Sequence, residues 1–79
     1  MIEIIKTLVG FGMDFEYENR GSDGETLTSF ELDLRVSFQE GYIYMTHEGD
    51  DYKLAENDKN ISSASFMVKQ FCIDETASF

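Results

Sequence analysis

Phe30, Leu32, Leu34, Val36 and Phe38 alternate with Glu31, Asp33, Arg35 and Ser37, a strict period of two over nine residues. Side chains on a β-strand point alternately to opposite faces of the sheet, so the pattern reads as one strand at 30–38 with an apolar face and a polar face. A row of large apolar side chains cannot stay in water, and one strand cannot bury them alone. The chain is therefore obliged to build an antiparallel sheet with one face covered and the other solvated.

Its neighbours follow the same logic. At 13–18, Met13, Phe15 and Tyr17 alternate with Asp14, Glu16 and Glu18 and predict a strand before the long one. Residues 19–26, with two glycines and Asn, Ser and Asp turn formers, read as a loop. Gln39-Glu40-Gly41 is a tight turn, and residues 42–47 are a third strand rich in β-formers. A two-residue Glu40-Gly41 turn puts Ile43 and Met45 on the core face with Phe38 and Val36, and Tyr42 and Tyr44 outside. A three-residue bulged turn swaps those sets, because a one-residue slip inverts every side chain. Both registers are open. Residues 48–51 turn the chain again, and residues 52–54 are a short fourth strand or an extension.

Helices frame the strands. Ile2, Ile5 and Val9, with Ile4, Leu8 and Phe11, recur at helical spacing, and Gly10 and Gly12 offer the stop. Ala64, Met67, Val68 and Phe71, joined by Ile61 and Cys72, give a second stripe after a polar connector at 55–60, capped by Ser62 or Asn60. The tail at 74–79 is expected to fray. The fold class is α+β: one domain over 1–79, ordered α-β-β-β-α, with a three-stranded antiparallel meander and both helices on one face. That covered face would carry Phe15, Tyr17, Phe30, Leu32, Leu34, Val36 and Phe38. The open one would show Asp14, Glu16, Glu18, Glu31 and Asp33, relieved by Arg35.

Composition narrows the function. Sixteen acidic against six basic residues give a formal net charge of −10 on 79 residues. Such a chain does not grip nucleic acid or anionic membrane unaided, since both need Lys and Arg; its partners should be basic. Eleven aromatic residues argue against disorder. A single Cys allows no intrachain disulfide and suits a reducing compartment. With no basic leader, and no apolar run near the roughly 18 residues of a membrane span, the expectation is cytoplasmic.

Chemistry is hard to place. Nucleophilic catalysis needs a nucleophile, a base and an orienting group, and one His (His47) with one Cys (Cys72) on an apolar helix side is a poor start. No Cys/His cluster has zinc spacing. Asp23-Gly24-Glu25 and residues 48–51 are oxygen-rich without the ligand spacing of a calcium loop. Gly10-Phe11-Gly12 lacks what a phosphate loop requires. The expectation is a protein that is not an enzyme and uses no cofactor and no metal.

What is left is charge geometry. Carboxylates two residues apart on a strand lie about 6.7 Å from each other, and a neighbouring strand adds more about 4.8 Å away. That approximates a row of backbone phosphates. The expected partner-binding set is Asp14, Glu16, Glu18, Glu31 and Asp33, with Glu48, Asp50 and Asp51 from a turn and Tyr42 and Tyr44 as anchors. A merely solvated acidic face is the plain alternative. In length, acidity and element order the chain resembles the small phage-encoded anti-defence proteins, in layout the acidic anti-CRISPR inhibitors, which pair a helix, a three-stranded sheet and further helix. It departs from them in ending soon after one helix. The resemblance implies an acidic inhibitor, monomeric or homodimeric, that blocks the DNA or RNA site of a basic nucleic-acid-handling protein by imitating phosphates, in a host cytoplasm. Two other readings use the same features: an immunity or antitoxin protein against a basic nuclease toxin, and a small assembly subunit that pairs with its own copies.

Overall fold

The computed structural model describes residues 1–77, and Ser78 and the C-terminal Phe79 of the expected tail lie outside them. The element order is α1 (Ile2–Gly10), β1 (Glu16–Asn19), a 3-10 turn (Gly21–Asp23), β2 (Glu25–Ser29), β3 (Leu34–Gln39), β4 (Tyr42–His47), β5 (Asp50–Ala55) and α2 (Asp58–Thr76). The strands form one antiparallel meander in the order β1-β2-β3-β4-β5. The class is α+β, but the sheet has five strands where the sequence predicts three.

The two added strands are β2 and β5; β5 runs over Asp50–Ala55, where 52–54 read as a short fourth strand or an extension, and around β2 the sequence misleads twice. Glu25 and Thr26 fall in the segment that reads as loop and 27–29 are assigned to no element, because Glu25 to Ser29 holds one apolar residue, Leu27. Yet Thr26 and Thr28 are β-branched, and Leu27 and Ser29 are fully buried on the other face. The nine-residue alternation, conversely, is not one strand. Residues 30–33 make a turn in which the Asp33 N–H donates to the Phe30 carbonyl at 3.2 Å and Asp33 adopts a left-handed φ of 51°. Asp is among the few residues that tolerate that region. The alternation still reports burial from Leu32 onward, since Leu32, Leu34, Val36 and Phe38 are all buried. It fails at Phe30, which is 67% exposed.

Both hairpins of the C-terminal half use two-residue turns with both residues at positive φ, Glu40-Gly41 (53° and 79°) and Glu48-Gly49 (49° and 89°). This is the turn geometry that matches strand twist. It selects the first of the two registers, pairing Phe38 with Ile43 and Val36 with Met45. Asp50 and Asp51, expected in a turn, instead open β5 opposite His47 and Thr46.

α1 ends in a Schellman motif. Gly12, at φ 70°, donates to the Val9 carbonyl and Met13 to the Leu8 carbonyl, each at 3.0 Å. α2 is capped by the Asn57 side chain, which accepts from the Asn60 N–H at 2.8 Å, and not by Ser62 or Asn60. It also runs on through Asp74, Glu75 and Thr76, which were expected to fray. The core joins Ile4 and Leu8 of α1 and Ala64, Val68 and Cys72 of α2 to Leu27, Leu34, Val36, Phe38, Ile43 and Met45 of the sheet, so both helices cover one sheet face. Of the expected core residues, Phe15 is half-buried, and Tyr17 and Phe30 are exposed.

One close approach is open to a direct test. A Cβ on Gly24, at φ 97°, would sit 2.1 Å from the Phe38 carbonyl oxygen of β3. Gly24→Ala should therefore destabilise the protein by about 3 kcal/mol or more in urea unfolding. At Gly10, where an added Cβ meets nothing within 4 Å, the same change should be close to neutral.

Candidate functional site: an acidic end of the sheet

The strand register assigns each polar side chain to a face. Across the open face run three rows: Glu16, Thr28, Arg35, Thr46 and Asp51, then Glu18, Thr26, Ser37, Tyr44 and Lys53, and last Gln39, Tyr42 and Ala55. Three carboxylates there share the surface with two cations. A third, Arg20, reaches Glu18 at 3.3 Å from beyond the end of β1. The two-strand acidic surface expected from Asp14, Glu16, Glu18, Glu31 and Asp33 is thus not formed. β1 contributes only Glu16 and Glu18 to the open face, and Glu31 and Asp33 belong to the turn, off the sheet face. Tyr42 and Tyr44 do face outward, with ring centroids 6.2 Å apart. The Lys53 ammonium lies over both, 4.4 Å and 5.6 Å from the two centroids, which a sequence reading centred on acids overlooks.

The remaining six of the ten expected residues meet elsewhere. In a meander, the β2–β3 and β4–β5 connections fall at the same end of the sheet, where the chain also enters β1. Asp14, Glu31, Asp33, Glu48, Asp50 and Asp51 gather there. The Glu48 N–H donates to the Asp33 carbonyl at 3.1 Å and ties one turn to the other. Asp33 and Glu48 both hold left-handed backbone, at φ 51° and 49°.

Within this end the acids have different duties. The Asp14 carboxylate accepts from the Ser29 hydroxyl at 3.2 Å and from the Glu31 N–H at 3.1 Å. In return, the Asp14 N–H donates to Glu31 Oε1 at 3.0 Å. Ser29 is fully buried, so Asp14 supplies the acceptor that its hydroxyl requires. Asp51 accepts from the Thr46 hydroxyl at 3.0 Å. Asp33, Glu48 and Asp50 are exposed and complete the acidic rim. One cation tempers it, and His47 closes it on the helix side. Arg35 shares with Asp33 the lining of a depression of about 290 Å³ that also includes Thr28 and Phe30. His47 stacks on Phe71 of α2 at 3.7 Å, with its Nε2 3.9 Å from Glu48.

Among the described residues, no three His, Cys, Asp or Glu side chains converge closely enough to hold a metal ion. Cys72 is buried, and burial pushes its thiol pKa up, away from the thiolate that a nucleophile needs. Tyr17 of β1 donates its hydroxyl to Glu25 at the start of β2, and that bond raises the phenol pKa. No described helix is long and apolar enough to cross a membrane. Comparison of the chain with protein-family models, with curated proteins and with solved structures finds no match.

Two measurements check these assignments. Asp14→Ala should cost about 1–3 kcal/mol in urea unfolding, because it orphans the buried Ser29 hydroxyl, whereas Glu16→Gln on the open face should stay within about 0.5 kcal/mol. For Cys72, the raised folded pKa means that the protonated thiol is favoured in the folded state. Its stabilising effect is whole below the unfolded thiol pKa and falls as pH rises past it, so native Cys72 should react slowly with a thiol reagent at pH 8 and quickly in urea.

Proposed function

We propose that this chain is a non-catalytic inhibitor whose acidic sheet end occupies the nucleic-acid-gripping surface of a basic protein, in the manner of an anti-CRISPR protein. The observation that carries the reading is the convergence of six carboxylates on one end of a five-stranded sheet, along a line from the entry to β1 to the β4–β5 turn. Four strand spacings span about 19 Å, which is the axial length of roughly six base pairs of duplex. The clasp between Asp14 and Glu31 and the bond between the two turns fix much of this line through backbone groups. Little backbone entropy is then lost when a partner binds.

A net charge of −10 speeds the approach to a basic surface and orients the encounter. The mixed open face, with Arg35 and Lys53 among its acids, suits such a surface less well than the sheet end does. Phe30, exposed beside Asp33, supplies an apolar contact at the same end.

The test is capture from a cell lysate on immobilised protein, followed by elution with salt or with duplex DNA. Basic nucleic-acid-binding proteins should be retained at low salt and released by either eluent. The variant D33N/E48Q/D50N leaves the Asp14 clasp intact and should bind the captured protein about 10- to 100-fold more weakly. Retention that DNA does not displace, or that the triple variant keeps, would sink the reading.

A further inference from the structure

The two edges of the sheet are not equivalent. β1 is four residues long, and its open-face side chains, Glu16 and Glu18, are both acidic. Self-pairing of β1 about Tyr17 would set Glu16 opposite Glu18 of the copy, a like-charge contact that protects the edge. β5 has six residues and a different pattern. Counting from the closing pair His47–Asp50, the residues of β5 that exchange both hydrogen bonds with β4 are Asp50, Tyr52 and Leu54. The backbone groups of Asp51, Lys53 and Ala55 therefore point away from the sheet. Of these, the Ala55 carbonyl accepts from Asn60 Nδ2 at 2.8 Å. Asp51 and Lys53 keep their outward N–H and C=O groups at an open edge.

We infer that β5 is an interface for a second copy of this chain, the two β5 strands pairing antiparallel about a two-fold axis at Tyr52 to join the sheets edge to edge. The register follows from charge and from hydrogen-bond parity together. An axis at Tyr52 sets Asp51 opposite Lys53 of the copy, and Lys53 opposite its Asp51, both on the open face. Asp51 and Lys53 are also the residues whose backbone groups point outward, so each of these pairs exchanges two hydrogen bonds. An axis at Lys53 would satisfy the same parity but set two lysines against each other. On the other face, Tyr52 and Leu54 pack on the core and are only half-buried, so the copy covers apolar surface that the monomer leaves at its margin. The Lys53 stem is long enough to turn its ammonium from Tyr42 to the carboxylate across the new seam.

Two chains of charge −10 also repel at long range, and salt screens that repulsion more than it screens the short pairs in the seam. The dimer should therefore tighten as salt rises, the opposite of the salt response of the proposed partner complex, so each reading can fail without the other.

The experiment is sedimentation velocity on the full chain and on two variants, D51K and K53D, with circular dichroism to show that each is folded. The wild type should dimerise in the micromolar to millimolar range. Each variant alone faces like charges across both pairs and should dimerise about 10- to 100-fold more weakly. Mixed in equal amounts, the two variants restore both opposite-charge pairs and should recover a heterodimer of near wild-type affinity. A wild type that stays monomeric at all concentrations and salts, variants that dimerise like wild type, or a mixture that remains monomeric would each overturn the inference.

Discussion

Asp14 holds the bend that ends β2 and turns the first residues of an apparent nine-residue strand out of the sheet. Its carboxylate takes a hydrogen bond from a fully buried hydroxyl, Ser29, and another from the Glu31 N–H, at 3.2 Å and 3.1 Å. Bonds to an ionised acceptor are stronger than neutral ones. An unpartnered hydroxyl at that depth would cost about 1–3 kcal/mol. The bend lets β2 fold back on β3 instead of continuing into it, and that reversal adds β2 to the meander, as the Glu48-Gly49 turn adds β5. It also moves Glu31 and Asp33 from the sheet face to its end.

The sequence reveals the sheet's chemistry better than its connectivity. Leu34, Val36 and Phe38 are assigned to the core by alternation alone, and they are buried, whereas Ile43 and Met45 reach it only because the two-residue turn sets the register that alternation leaves open. Period two says which side chains share a face, but it is blind to a turn whose residues happen to keep the alternation, as Leu32 does. β2 is hidden for the converse reason, since its buried Ser29 and its two threonines look like loop. The signal available was β-branching, which a count of apolar residues ignores. The α1 stop and the places of the two hairpin turns are legible from local backbone chemistry, but the two-residue geometry is one of two readings at Glu40-Gly41 and is missed at Glu48-Gly49, where 48–51 reads as turn.

The candidate site was half legible. All ten expected residues carry the charge or the ring that makes them eligible, but which of them meet depends on where turns fall. Glu16 and Glu18 stayed on the open face, where Arg35, Lys53 and Arg20 dilute them. Asp14, named for its place in an acidic row, mainly organises the bend. Asp33, Glu48 and Asp50 are brought together by the meander itself, which returns alternate turns to one end. That placement costs the core nothing, because turn residues are solvated in any case. It lets a small domain carry a large negative charge without burying any of it.

The proposed function requires this end of the sheet, rather than the acidic character of the whole surface, to recognise cations. The most direct measurement is an amide NMR titration with a short arginine-rich peptide. Salt-sensitive shifts should concentrate at Asp14, Glu31, Asp33 and residues 48–51, with the amides of β3 and the Glu40 and Glu56 end moving little. Shifts spread over Glu40, Glu56 and Asp58 as strongly as over Asp33 and Glu48 would contradict the proposed function and leave the acids a solvated coat.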